Sequence, residues 1–404
     1  MIQTSIKNHV IVKIFTLLPL FWAFSGLFYS SSGKKQIGIL MLLSIVLMIY
    51  TYGVTQAIAN IKENKVLWIL LFSLLYSFCI FTLYDYNFGQ FRSLFFSMLF
   101  LIFVPKQILT KKLLYAVILF GAFFVISYAL WFTFVQGMGR SWPVNVIPFS
   151  TFSSIIAIFS FILFFYEEKK LFKCILLISF LLSICSVAIG QSRGVWLALM
   201  ITMLLAFVYL HHLKKINYKS IFVLLIVVGL ALIAAYPKID QRVTNTIHEY
   251  NVIKSGVYST SIGLRIKMWS VGFELSKISP ILGLRDDHLV EFNKKYKHTT
   301  DPDMLAMTTY TPPHYHMEML NTFVKSGIVG LFIFLLPLFY VVYNFISHKN
   351  LGSSLLLAMM SIYLIAGLTD IPMTHGNHMI FFWLLLYYLT NNGFRLYKKY
   401  LGLN

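Results

Sequence analysis

The sequence predicts an all-α integral membrane protein of about twelve transmembrane helices, with a large, partly helical outer loop between helices 9 and 10. Two observations carry this. Of the 404 residues, 58% are hydrophobic and only 12% are charged, half the roughly 25% charge of a soluble domain. That much apolar surface exceeds what one aqueous core can hide. The apolar residues also fall in runs near the roughly 20 residues a bilayer requires, separated by short polar breaks.

The elements follow in order. Lys7 and Lys13 precede an apolar run from Ile14 to Tyr29 with no small-residue cleavage site behind it, so residues 12–30 read as an uncleaved first span. Runs at 37–57, 66–84 and 90–105 come next. The last two are poorly separated, which leaves eleven spans as an alternative. Residues 112–136, 147–166 and 171–190 follow, then 193–211, which opens on an arginine, and 219–236. From Pro237 to Met317 the chain turns polar. Spans then resume at 318–345, 352–370 and 376–391. The expected organisation is an N-terminal bundle over 1–236, a loop over 237–317, and C-terminal helices with a tail over 318–404.

The net charge of +19 would suggest nucleic acid in a soluble protein, but no aromatic-basic motif accompanies it. In a membrane protein such charge gathers in cytoplasmic loops. Pairs such as Lys111-Lys112, Lys169-Lys170, Lys214-Lys215 and Lys398-Lys399 fall on one side. The short segments of the other side hold only Lys34, Lys35, Arg92, Arg140 and Arg193. Both termini are therefore expected in the cytoplasm and the long loop outside; Lys34 and Lys35 run against the trend. The three cysteines, Cys79, Cys174 and Cys185, lie in apolar segments and give neither a disulfide framework nor a metal spacing.

A loop as long as 237–317 needs structure or function of its own. Ser261 can cap a helix with Leu264, Met268 and Gly272 on one face, ending at Ser279-Pro280. A second helix is expected from Asp286 to Lys297, followed by turns at Asp301-Pro302 and Thr311-Pro312-Pro313.

Four places have the residue types for chemistry. Gln191-Ser192-Arg193-Gly194 puts an arginine at the outer edge of the bundle, at a cost of about 2.5–3.5 kcal/mol on insertion scales. With no acid nearby in sequence, Arg193 either snorkels or forms an anion site. Arg265 sits in the first turn of the expected loop helix, where the helix N-terminus also favours anions; a solvated helix face is the plain alternative. His314-Tyr315-His316-Met317-Glu318 joins the loop to the next span. His314 and His316 point to different faces and match no zinc signature, so no metal is expected. A histidine is a natural general base near neutral pH, although an interfacial histidine pair is equally ordinary. Lys325 is expected to snorkel or to pair with Glu318. Asp370, the lone acid of the 352–370 span, is either functional or the structural partner of an arginine.

Together these segments resemble the O-antigen ligase family, within a wider group that includes O-antigen polymerases and some protein O-oligosaccharyltransferases. Gln191-Ser192-Arg193 and Ile262-Gly263-Leu264-Arg265 match two of its motifs, and His316, Glu318, Leu320, Gly327 and Gly330 match a third. Met317 stands where the family usually has asparagine. Gly367-Leu368-Thr369-Asp370 looks like a further shared segment. The resemblance implies a glycosyltransferase of lipopolysaccharide biosynthesis, multi-pass in the bacterial inner membrane, with its active site on the periplasmic face. It moves a glycan from undecaprenyl diphosphate to a sugar hydroxyl of lipid A-core. In that scheme Arg193 and Arg265 receive the diphosphate, and His316 takes the acceptor proton as the anomeric carbon inverts. Glu318, His314 and Asp370 would support them. Neither metal nor cofactor is expected, and no nucleic acid. An O-antigen polymerase shares the donor and the motifs. A transporter or flippase would instead show acids and broken helices at the bilayer midplane.

Overall fold

Each apolar run of the sequence folds into a helix, and every regular element among the described residues is helical. The structure, a computed structural model, describes residues 10–29, 32–105, 108–216, 218–305 and 314–391. The Thr311-Pro312-Pro313 turn and the C-terminal basic tail lie outside these residues.

The helices of the first half are α1 (Val10–Ala23), α2 (Gly33–Tyr52), α3 (Val54–Glu63), α4 (Lys65–Tyr84), α5 (Phe88–Phe103), α6 (Lys111–Leu130), α7 (Val146–Tyr166) and α8 (Lys170–Gly190). The second half holds α9 (Arg193–His212), α10 (Tyr218–Lys254), α11 (Ser261–Ser276), α12 (Asp287–Tyr296), α13 (Glu318–His348), α14 (Leu351–Ala366) and α15 (Gly376–Asn391). Among the described residues, seven are long and apolar enough to cross a membrane, and three shorter apolar helices accompany them. The chain is an all-helical, multi-pass membrane protein.

Several boundaries differ from expectation. The run at 37–57 breaks at Gly53, whose φ of +73° ends α2 and starts the short amphipathic α3. Asp85 and Asn87, both left-handed, separate α4 from α5 cleanly. The largest difference is α10, which continues through Pro237 to Lys254 instead of ending at 236. Proline stops helices less effectively in membrane proteins, where neighbours re-satisfy the freed backbone groups. Helix α14 ends at Ala366, so Asp370 lies in the turn beyond it rather than in a span.

Two helices form the centre of the bundle. Nearly every side chain of α7 is buried, against α6, α8, α9 and α14. Its Ser150, Thr151, Ser153, Ser154 and Ser160 keep it slim, and such small residues let membrane helices approach closely. Helix α15 is likewise buried along its length. His378 on α15 makes Nε2 donate to Pro148 O at 2.9 Å, because a carbonyl can only accept. Its Nδ1 then accepts from the Tyr363 hydroxyl at 2.9 Å, tying α7, α14 and α15 together.

The polar segment has a small apolar core of its own. Met268, Val271, Leu275, Leu284, Phe292 and Tyr315 pack together and onto Leu320 and Val324 of α13. The segment is thereby seated on the first turns of α13.

Candidate functional site

The site gathers where α9, α10, α11 and α13 begin or end beside the turn after α14. Helix α8 closes on Gln191 in the left-handed region, and α9 starts two residues later at Arg193. Gly194 follows because the turn at 367–371 packs against this first turn of α9. A Cβ on Gly194 would stand 2.1 Å from Thr369 Oγ1.

Arg193 does have an acid, though a distant one in sequence. One terminal nitrogen donates to Glu249 Oε1 at 2.8 Å and the other to Thr246 Oγ1 at 2.9 Å. The second oxygen of Glu249 accepts from the Ile262 backbone N–H at 3.1 Å. Glu249 therefore links Arg193 to the first turn of α11, the helix that carries Arg265. The cap of that helix is Thr260, whose Oγ1 accepts from Gly263 N at 3.1 Å, one residue before the expected Ser261. Lys267 fastens the same helix to Asp301 at 3.0 Å.

Two further arginines join, neither of them expected as a site residue. Arg242 Nε donates to Gln191 Oε1 at 3.2 Å, and Arg140 Nε donates to Gly190 O at 3.2 Å. Burial, then the charges of Arg242, Arg193 and Arg265, pushes the Arg140 guanidinium down to about 10. Burial likewise lowers Arg265, with Arg193 adding to the effect while Asp370 and Glu249 oppose it. Four guanidinium groups thus share one neighbourhood with Glu249 and Asp370.

Asp370 is 3% exposed and faces both histidines. Its Oδ1 lies 3.5 Å from His316 Nδ1 and 3.8 Å from His314 Nε2. Burial resists its ionisation, but the imidazoles of His316, His375 and His314 outweigh burial and hold the carboxyl below the usual carboxylate range. Burial, with the neighbouring His316 ring, lowers His314, so this ring stays neutral at neutral pH. His316 adopts a left-handed backbone with φ +48°, uncommon for a residue with a side chain. The Trp269 indole reaches its carbonyl at 3.4 Å. His314, His316 and Asp370 each place one ligand atom within 4.8 Å of the others, so the trio also has the atoms to hold a cation.

Glu318 serves a different contact from the one expected with Lys325. Both its oxygens face the 372–374 turn, accepting from Met373 N at 2.8 Å, Thr374 N at 2.9 Å and Thr374 Oγ1. Its own N–H donates to Gly367 O at 2.7 Å. Glu318 therefore anchors both ends of the turn on which Asp370 sits. Lys34, whose charge ran against the inside-outside trend, belongs to this neighbourhood: a Cβ on Gly376 would lie 3.1 Å from its Cδ.

Helix α13 is broken about two and a half turns further on, at Gly327 (φ +62°). The carbonyls freed there accept from Leu284 N at 2.8 Å (Val324 O) and Arg285 N at 2.9 Å (Lys325 O). Ile328 N returns a bond to Pro280 O at 2.9 Å. This close docking requires Gly327, since a Cβ there would stand 2.2 Å from Ile281 O. Arg285 is placed by it with its guanidinium 3.4 Å from the centre of the Tyr84 ring.

Sequence reasoning missed Arg242, Glu249 and Arg140 as site residues. A signal for two of them was present: Arg242, Thr246 and Glu249 stand at i, i+4 and i+7, one face of a helix. Taking Pro237 as a helix end hid that stripe.

Residues 178–335 match a family model described as O-Antigen ligase. The matched stretch holds Arg193, Arg242, Glu249, Arg265, His314, His316 and Glu318, whereas Arg140 and Asp370 lie outside it. An uncharacterized protein of Haemophilus influenzae is 30% identical over 285 residues, 64% of this chain and 66% of that protein. The match thus spans just under two thirds of that relative. Over residues 178–335, where its arginines and histidines are set at one end of a membrane-helix bundle, the chain is similar to the O-antigen ligase family.

Proposed function

We propose that the protein is an O-antigen ligase. It transfers a glycan from undecaprenyl diphosphate to a sugar hydroxyl of lipid A-core, in the bacterial inner membrane with the site facing the periplasm. The distribution of lysine and arginine supports that orientation, with both termini in the cytoplasm. The observation that carries the reading is the Asp370–His316 pair, 3.5 Å apart, beside four clustered arginines.

The roles follow from charge. As the bond between the anomeric carbon and the phosphate oxygen breaks, its electron pair leaves on the diphosphate. Arg193 and Arg265 receive that growing charge, with Arg242 and Arg140 behind them. A unit charge pair at 4 Å is worth about 4 kcal/mol at an effective dielectric of 20, and donors already in place stabilise charge as it develops. Arginine suits this because its planar fork binds two phosphate oxygens. His316 takes the proton of the acceptor hydroxyl as that oxygen attacks, and direct attack inverts the anomeric carbon. Asp370 orients the His316 ring and stabilises the imidazolium that forms. Glu318 holds the turn carrying Asp370. No step of this scheme needs a metal.

The test is transfer in vitro. Purified protein, an undecaprenyl-diphosphate-linked glycan and glycan-free lipopolysaccharide are mixed with a chelator present. Glycosylated lipid A-core is expected. Longer glycans still on the carrier would make the enzyme a polymerase, and activity abolished by the chelator would give the His314–His316–Asp370 trio a metal. No transfer to either acceptor would favour a transporter.

A further inference from the structure

A second polar recess lies across the 370–375 turn from the arginines. It is a cleft between α4, α5, α13 and α15. Its wall mixes aromatic rings (Tyr86, Trp383) with amide and hydroxyl side chains (Gln90, Asn321, Thr322, Thr374). Sugars call for this mixture: ring faces for their C–H surfaces, and amides that both donate and accept for their hydroxyls.

One side chain points to a ligand. Asn321 is 3% exposed, lines the cleft, and its Oδ1 is buried with no hydrogen-bond partner. A buried acceptor left unsatisfied is costly, and a hydroxyl donated from the cleft would remove that cost. Gln90 stands across the same cleft, its Oε1 accepting from Asn87 at 2.5 Å.

The cleft also has a direct link to the histidine cluster. Met373 and Thr374 line it, and they belong to the turn whose Asp370 faces His316. One short segment therefore separates the cleft from the general base. The arginine group, on α9, α10, α11 and the 136–145 segment, lies on the other side.

We infer that this cleft binds a sugar of the acceptor, presenting its hydroxyl toward His316 while the donor diphosphate lies among the arginines. The inference rests on the glycosyl-transfer reading above. Its test compares wild-type, Gln90→Ala and Asn321→Ala full-length proteins, varying glycan-free lipopolysaccharide at saturating undecaprenyl-diphosphate glycan and the reverse. The acceptor KM is expected to rise about tenfold in each variant, the change expected for about 1.4 kcal/mol of lost binding. The donor KM should stay within about twofold. An unchanged acceptor KM would overturn the acceptor site, and so would a rise in the donor KM alone. Gln90 is only partly buried, so its variant decides the matter if Asn321→Ala fails to fold. Wild-type protein that makes no product would instead defeat the transferase reading, before any variant is compared.

Discussion

Arg193 and Glu249 meet at 2.8 Å although they lie on different helices, and Glu249 in turn holds the Ile262 N–H at the start of α11. One carboxylate thus sets the spacing between the two arginines assigned to the diphosphate. Glu249→Ala should release Arg193 and loosen the first turn of α11. Donor KM is expected to rise about tenfold, the equivalent of about 1.4 kcal/mol, with a smaller rise for Glu249→Gln, which keeps an acceptor for Ile262. Steady-state kinetics with varied donor check this; equal, unchanged KM values would remove Glu249 from the binding machinery.

Asp370 is the group assigned to orient His316. Asp370→Asn should lower turnover by about 10²-fold, in keeping with the share of rate that acid–base catalysis supplies. Binding of the donor should be kept, because the arginines are untouched. A variant with normal kcat would leave Asp370 only a structural place in the turn.

The junction of Gly327 with residues 280–285 can be tested by one methyl group. Gly327→Ala combines a left-handed backbone with a Cβ 2.2 Å from Ile281 O, a strain of about 1–3 kcal/mol before any clash. Lower thermal stability and easier proteolysis of the 255–305 segment are expected. Gly89→Ala is the control, because a Cβ there meets nothing within 4 Å.

Acid should loosen the same segment through His288. This ring is 1% exposed, lies 2.9 Å from the Tyr315 hydroxyl, and is held near 3 by burial and then by the charge of Lys325. The unfolded segment takes up its proton near the ordinary value of 6.5 and the folded one does not. Stability is therefore full above that value and falls by about 1.4 kcal/mol per pH unit below it, until the folded value is reached. Protection of α11 amides against hydrogen exchange, relative to the intrinsic rate at each pH, should fall between pH 7 and pH 5. His288→Gln should flatten that dependence, and an equal slope in the variant would contradict it.

The fold was legible because it is written in long apolar runs. Boundaries failed where the tertiary setting outweighs a local signal. Pro237 is a local stop signal, yet α10 runs on to Lys254 and brings Arg242 and Glu249 to the site. Arg193, Arg265, His314, His316 and Asp370 stood out in the sequence because charges and imidazoles are costly beside apolar helices. Their pairings were not readable: Arg193 finds Glu249 through the folding of the 218–262 segment, and Asp370 finds His316 because Glu318 holds the 372–374 turn. Lys34 made no sense as a loop charge and acquires a place only once Gly376 is beside it.

His316 is the hinge of the proposed chemistry, so the most direct measurement is single-turnover glycan transfer by His316→Ala. The donor is held at saturation, and donor binding is measured in parallel. A fall in the transfer rate of about 10²–10⁴-fold with donor binding intact is the expected result for loss of a general base. Near-normal transfer by this variant would contradict the assignment of the acceptor proton to His316.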